Sequence, residues 1–415
     1  MVTGVYFVMY MKPAKKAPMP TPSWMEPMLP SDGGRVLEDI AFDLISSANA
    51  LAGQIHPIVT ESVGNLVRSM NCYYSNLIEG HDTHPRDIDR ALHKDYSTEP
   101  RKRALQLEAV AHIEVQKAID EGDDPKDFPA SSAYAIWLHR EFCRRLPDEL
   151  LWVEDPETKR RIRLTPGALR DGEVVVGLHL PPPAAALPGF LKRFEQVYSP
   201  QSLSKVRQVT AVAAAHHRFL WIHPFYDGNG RVARLMSHAL LRRLGVGNSL
   251  WSVARGLARN VGDYKSLLMA ADASRRGDLD GRGNLSQAAL DSFCEFFLRV
   301  SNDQVSYMST ILQPSELLRR MEIYVEDETR AGRLPKGSFP LLREALLAGE
   351  FERGLAPSLT GYKERMARTV VSKLLDAGLL VSPSHVARLR LGFPLPVVER
   401  WFPALYPSSS YRFYA

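Results

Sequence analysis

Cysteine is scarce: Cys72, Cys143 and Cys294 are the only three in 415 residues. Three thiols cannot all pair, and these lie far apart with no metal-ligand spacing, which argues against a disulfide framework and a cysteine zinc site. Long apolar runs are also missing. None approaches the roughly 20 residues needed to cross a bilayer, so no membrane partner is expected. Val2 to Met11 is mildly apolar but has neither a preceding basic region nor a small-residue cleavage site, while Met9 and Met11 leave the true start open. A reducing cytoplasm is the expected location. No strong excess of one charge is present either, since a net charge of +5 is too mild to imply nucleic-acid binding by the whole chain. A hydrophobic fraction of 45% and a charged fraction of 24% are ordinary for a globular chain, and the length allows two or three domains.

Against that plain background one segment stands out, His223-Pro224-Phe225-Tyr226-Asp227-Gly228-Asn229-Gly230-Arg231-Val232-Ala233-Arg234. Gly228, Asn229 and Gly230 can take up positive φ angles that aim consecutive N–H groups at one point. Val232, Leu235, Met236, Ala239, Leu240 and Leu244 then follow at helical spacing. The turn therefore heads a helix, where free N–H groups and the helix dipole favour a phosphate. Arg231 and Arg234, three apart, face the same side of the first turn. His223 is a candidate general base near neutral pH, and Asp227 is a single carboxylate suited to a hard cation such as Mg²⁺ shared with phosphate oxygens. The N–H groups around Gly228, Asn229 and Gly230, with the Asn229 side chain as a further donor, would stabilise charge on a phosphate. The two arginines would grip the remaining phosphates.

This segment closely resembles the signature of the Fic family, His-Pro-Phe-x-Asp/Glu-Gly-Asn-Gly-Arg-x-x-Arg, with every specified position matched. The resemblance implies a helical core that transfers AMP from ATP, with Mg²⁺, to a hydroxyl side chain of a target protein, with His223 as base. Upstream, Ser75-Asn76-Leu77-Ile78-Glu79-Gly80 ends a helical pattern through Val67, Met70, Tyr74, Leu77 and Ile78, with Gly80 as its stop. A glutamate in a last helical turn is electrostatically misplaced and calls for a compensating partner. The Ser-x-x-x-Glu-Gly pattern resembles the family's inhibitory helix, which implies that Glu79 pairs with Arg234 and displaces the ATP γ-phosphate. The same glutamate positions water in relatives that remove AMP, so the direction of the reaction stays open. The family also places an Asn-x-x-x-Tyr pair near the nucleotide. That makes Asn260 and Tyr264, four apart on one predicted helix face, candidates for adenosine contacts, although Asp263 stands where relatives often carry a second aromatic. A structural role for Tyr264 is the alternative.

The expected architecture is mainly α. Residues 1–34 read as an extended arm, 35–125 as a helical module with the inhibitory helix, and 126–300 as the Fic core. Residues 301–333 read as a helical linker and 334–415 as a winged-helix module with its tail. Within the core, Gly and Pro punctuate 155–183, and Val174-Val175-Val176 is β-prone, which suggests a β-hairpin flap resembling the family's target-docking flap, or a plain surface hairpin. Arg170 is expected to help order this flap. Between Leu334 and Pro394, nine Lys or Arg stand against five Asp or Glu, most of the net charge. Helices near 339–348, 357–362 and 363–377, then a hairpin over 379–391, resemble a winged helix-turn-helix. Lys363, Arg365, Arg368 and Lys373 would face a duplex groove, making DNA a candidate partner beside protein docking or homodimerisation. Three functions follow: an autoinhibited protein adenylyltransferase as the preferred one, a DNA-binding or toxin–antitoxin regulator whose Fic fold senses nucleotide, and a Fic enzyme that removes AMP or transfers another nucleotide.

Overall fold

Apolar residues at three- and four-residue spacing dominate the chain, and the computed structural model folds them into sixteen α-helices and five short strands among the residues it describes. Those residues are 20–31, 35–154, 159, 161–199 and 203–407. Helix α1, Arg35–Ala52, buries Leu37, Ile40, Ala41, Leu44, Ala48 and Leu51 along one stripe. Helix α2, Pro57–Ile78, starts on Pro57 after His56, whose Nδ1 accepts from the Ile58 N–H at 3.2 Å. Helix α3, Pro85–Leu92, is followed by α4, Pro100–Glu121, which stops at left-handed Gly122. Helix α5, Ser132–Cys143, is capped by Ser131 Oγ, an acceptor for the Tyr134 N–H.

Strands β1, Trp152–Glu154, and β2, Arg161–Arg163, pair antiparallel with Val153 opposite Ile162. The hairpin thus starts just ahead of the 155–183 segment expected to form it, with β2 inside that segment. Val174 to Val176 adds only an isolated bridge between Val176 and His179. Here the Arg170 side chain bonds the Gly172 and Pro182 carbonyls, bridging the two ends of this stretch. Most of the turn joining β1 to β2 lies outside the described residues, as does most of the expected arm at 1–34.

Helices α6, Leu187–Tyr198, and α7, Lys205–Ile222, lead into α8, Asn229–Arg243. Then come α9, Val253–Arg259, α10, Val261–Ala271, α11, Gln287–Ile311, and α12, Pro314–Arg330. Helix α11 carries Phe293 and Phe297 into the centre, where it packs on α1, α7, α9 and α10. It runs unbroken past 300, where the sequence reading set a boundary. A buried ion cluster joins α2, α4 and α8: Asp120 accepts from Arg68 at 2.9 Å and from His238 at 2.8 Å. Helices α2 and α8 are thereby held in a fixed relation, which matters for the site. Among the described residues no helix is long and apolar enough to cross a membrane, and all three cysteines are buried free thiols.

The last part contains α13, Ser338–Leu347, β3, Glu350–Phe351, α14, Ala356–Thr360, α15, Glu364–Asp376, β4, Leu380–Val381, β5, Leu389–Leu391, and α16, Leu395–Trp401. The three strands form an antiparallel sheet in the order β3-β5-β4. This region lies along the outer side of α2. Gly349, at φ +80, sits so close to the His56 ring that a side chain there would overlap it. Arg390 meets Glu61 at 3.3 Å. Farther along, the Tyr74 hydroxyl donates to the Leu405 carbonyl at 3.1 Å, and Tyr406 packs edge-on against Tyr73. A cleft of about 230 Å³ remains between α2, α3 and this region.

Candidate functional site

Helix α7 ends at His223, whose left-handed backbone (φ 48, ψ 62) turns the chain sharply toward Pro224. Helix α8 begins six residues later, after Gly228 at φ 79 supplies the second sharp bend. Three interactions fix the loop between them. Phe225 is fully buried and stacks flat on His139, with ring centroids 3.9 Å apart. Arg170 reaches in from the preceding segment, its Nε donating to the His223 carbonyl at 2.8 Å, while its own N–H donates to the Pro224 carbonyl. Asn229 closes the loop on itself: its Oδ1 accepts from the Phe225 N–H at 3.0 Å and its Nδ2 donates to the Phe225 carbonyl at 2.9 Å.

That last pair corrects an expectation. The Asn229 side chain is buried and engaged on both its oxygen and its nitrogen by the loop backbone, so its first role is to hold the loop. Asn229→Ala would leave both Phe225 backbone groups unpaired, at about 1–3 kcal/mol for each group buried without a partner. We expect a lowered melting temperature together with lost activity, checked by thermal unfolding. Gly228 is likewise partly committed, since its N–H donates to Asp227 Oδ1 at 2.6 Å.

The His223 side chain is half-buried, not sealed beneath its neighbours. Burial, aided by Arg170 and His179, pushes its imidazole down to about 3, while a bond to the Leu220 carbonyl and the Glu79 carboxylate oppose that shift. The ring is therefore neutral at physiological pH, in the form that can accept a proton. Asp227 is exposed at the rim. The protein mass around it raises its carboxyl above the ordinary value; Arg231 opposes this, and Glu79 and Glu108 add to it. A carboxylate crowded by other carboxylates is a good place for a cation. No group of three or more potential ligands gathers among the described residues, so a metal here would share Asp227 with oxygens of its own ligand, as Mg²⁺ commonly does with phosphates.

At the head of α8 stands Glu79, the C-cap residue of α2. Its Oε1 accepts from Arg234 Nη2 at 2.6 Å, and a Cβ on Gly230 would overlap the same oxygen. Arg234 Nε donates to Ser75 Oγ at 2.8 Å, and its Nη2 also reaches the Ser75 carbonyl at 3.3 Å. The end of α2 thus meets the start of α8 head-on. An anion misplaced at one helix C-terminus is compensated at another helix N-terminus. Burial alone would raise the Glu79 carboxyl, but Arg234 and Arg231 outweigh it and hold it below the usual range, so it is charged at neutral pH. The position a phosphate would take over Gly230 is filled by the protein's own carboxylate.

Two further expectations change. Asn260 lies on the break between α9 and α10, is exposed, and donates to the Gly256 carbonyl. Tyr264 is only 2% exposed and its hydroxyl bonds His216 Nε2 at 2.7 Å, so it is a core residue and not an open stacking face. Asn260 caps the start of α10, its carbonyl accepting from the Tyr264 N–H at 2.9 Å, so the two share a helical turn although their side chains sit in different surroundings. Arg231 is also more occupied than expected. It pairs with buried Glu108 on α4, a partner 123 residues away that no local pattern marks.

Residues 129–241, which include the whole signature, match the model of the Fic/DOC family. The chain carries a Fic domain over these residues. The protein adenylyltransferase Fic of Drosophila erecta is 40% identical over 79 residues, covering 19% of this chain and 16% of that relative, and that of Drosophila melanogaster matches to the same extent. The chain thus spans about a sixth of the length of these curated relatives. In solved structures, a Fic family protein from Desulfovibrio desulfuricans G20 superposes with a TM-score of 0.51 at 18% identity, covering 88% of this chain and 98% of that one. Fic-1 of C. elegans superposes with a TM-score of 0.50 at 14% identity, covering 68% and 74%. At these identities the superpositions speak for the fold, so the chemistry of this Fic protein has to be argued from its own residues.

Proposed function

We propose that this Fic protein transfers AMP from ATP to a Ser, Thr or Tyr hydroxyl of a target protein and is held back by Glu79. The observation that carries this reading is the occupied helix head: a neutral imidazole at the end of α7, bare N–H groups opening α8, and two arginines, with a carboxylate seated where an anion belongs. His223 would take the proton from the target hydroxyl as its oxygen attacks the α-phosphorus, and pyrophosphate would leave. The opening N–H groups of α8 would face the phosphate oxygens, Arg231 and Arg234 the outer phosphates. Mg²⁺ held by Asp227 would neutralise charge on the phosphates and the leaving group. Glu79 would compete with the γ-phosphate for Arg234, so that nucleotide binds out of line for transfer.

Incubation of the Glu79→Gly protein with Mg²⁺ and α-labelled ATP, CTP, GTP or UTP, followed by intact-mass analysis, tests both reaction and donor. A mass gain of one AMP with ATP alone is expected. A gain with another nucleotide would move the donor assignment, and no gain with any of them would refute nucleotidyl transfer. A second reading, a DNA-binding regulator, draws support from α15, where Lys363, Arg365, Arg368 and Lys373 are all exposed. Salt-dependent duplex binding without any transferred label would favour it.

A further inference from the structure

The two signature arginines are held by different parts of the molecule. Arg234 is held from the end of α2, by Ser75 Oγ, the Ser75 carbonyl and Glu79. Arg231 is held from elsewhere. Its Nη2 donates to Glu108 Oε1 on α4 and lies 3.1 Å from His81 Nδ1, while the Phe142 ring on α5 faces the guanidinium at 5.4 Å. The other Glu108 oxygen is 2.9 Å from the same His81 nitrogen. Arg231 is 4% exposed and Glu108 3%. Arg231 Nε is buried with no hydrogen-bond partner among the described residues.

A buried ion pair is a poor device for stability, because desolvation cancels most of the attraction. What it does supply is orientation. An arginine side chain has many rotamers, and a guanidinium gripped at one nitrogen and faced by a ring has few. An unpartnered buried N–H, by contrast, is costly and is satisfied when an acceptor arrives. Burial by itself would raise the Glu108 carboxyl, yet Arg231 and His81 hold it below its ordinary value, so the grip is charge-assisted.

We propose that Glu108 is a positioning residue for Arg231: by holding Nη2 it fixes the orientation of the guanidinium at the head of α8, so that its remaining N–H groups meet a phosphate oxygen of the nucleotide. This rests on the nucleotidyl-transfer reading above and deepens it. Because Glu108 belongs to α4, the orientation it imposes persists when Glu79 releases Arg234. Glu79 restrains one arginine, whereas Glu108 prepares the other.

The test uses the full chain carrying Glu79→Gly, with Glu108→Ala, Glu108→Asp, Glu108→Gln, Arg231→Ala and the Glu108→Ala/Arg231→Ala pair added. Self-labelling with Mg·ATP gives kcat/KM, calorimetry gives Mg·ATP affinity, and thermal unfolding reports the folded fraction. Glu108→Ala should lose roughly 10- to 100-fold in kcat/KM. Glu108→Gln keeps an acceptor at the same reach but gives up the charge, and should recover part of that loss. On the Arg231→Ala background, Glu108→Ala should change kcat/KM by less than about threefold, because its effect runs through Arg231. If Glu108→Ala does not fold, Glu108→Asp, one methylene shorter, should still lose about tenfold. Unchanged activity in Glu108→Ala or Glu108→Asp, or full additivity with Arg231→Ala, would overturn the proposal. So would a rise in activity, which would make Glu108 a second inhibitory carboxylate. A Glu79→Gly parent that transfers nothing would instead refute the nucleotidyl-transfer reading itself.

Discussion

His223→Ala, placed in the Glu79→Gly protein, is expected to lower transfer by about 10²- to 10⁴-fold, the usual contribution of a positioned general base. The protein should still fold, because the loop is held by Phe225, Arg170 and Asn229, none of which uses the imidazole. Intact-mass rates measured beside a melting curve separate the two effects. A rate within tenfold of the parent would mean that another group takes the proton. The same residue fixes the pH profile. Its folded pKa is pushed down to about 3, against roughly 6.5 for free imidazole. The neutral, basic form is therefore already complete at pH 7, and protonation begins only as pH falls well below 6. The acid limb of kcat/KM attributable to His223 should lie below the ordinary histidine range, and a midpoint at 6.5 would contradict the burial seen here.

Glu79→Gly is expected to raise transfer roughly 10- to 150-fold. A hydrogen bond to a charged group contributes about 1.5–3 kcal/mol, and each 1.4 kcal/mol is a factor of ten. Two consequences of the substitution act together. Arg234 loses its 2.6 Å carboxylate contact, and the oxygen crowding Gly230 disappears. Glu79→Gln separates them, since it removes the charge but keeps the bulk, and should give an intermediate rate. Ser75→Ala removes only the partner of Arg234 Nε and should have a smaller effect. No rise in the glycine variant, with nucleotide binding intact, would show that Glu79 is not what restrains the site.

The parts of this site that lie close together in the chain were legible beforehand. The bend from His223 to Gly230, the helix it opens, and the Ser75-to-Glu79 spacing are all local, and their residue types restrict the backbone wherever they occur. What stayed hidden depends on distant partners. Glu108 is an unremarkable polar residue in a helical stretch until α4 is laid against α8. Asn229 reads as a donor until its carbonyl neighbour at Phe225 is in place. For Tyr264 the spacing left two roles open, a nucleotide contact or a structural one, and only the partner His216, 48 residues away, shows it in the core. The hairpin falls partly inside the expected segment, but its strands are not the β-prone run at Val174 to Val176. Strands of three residues leave almost no alternating pattern, and Arg170 bridges the ends of the more obviously β-prone stretch downstream.

The contacts along the outer side of α2 limit how Glu79 can leave. His56, Glu61, Tyr73 and Tyr74 are each engaged by residues near the end of the chain, and Arg68 is anchored on Asp120. Swinging the helix aside as a rod would break all of these at once. Unwinding only its final turn, from Ser75 to the left-handed Gly80, breaks none of them and frees Glu79 to leave Arg234. Relief of the restraint would then be a fraying event at a helix tip, with the shaft behind it standing still.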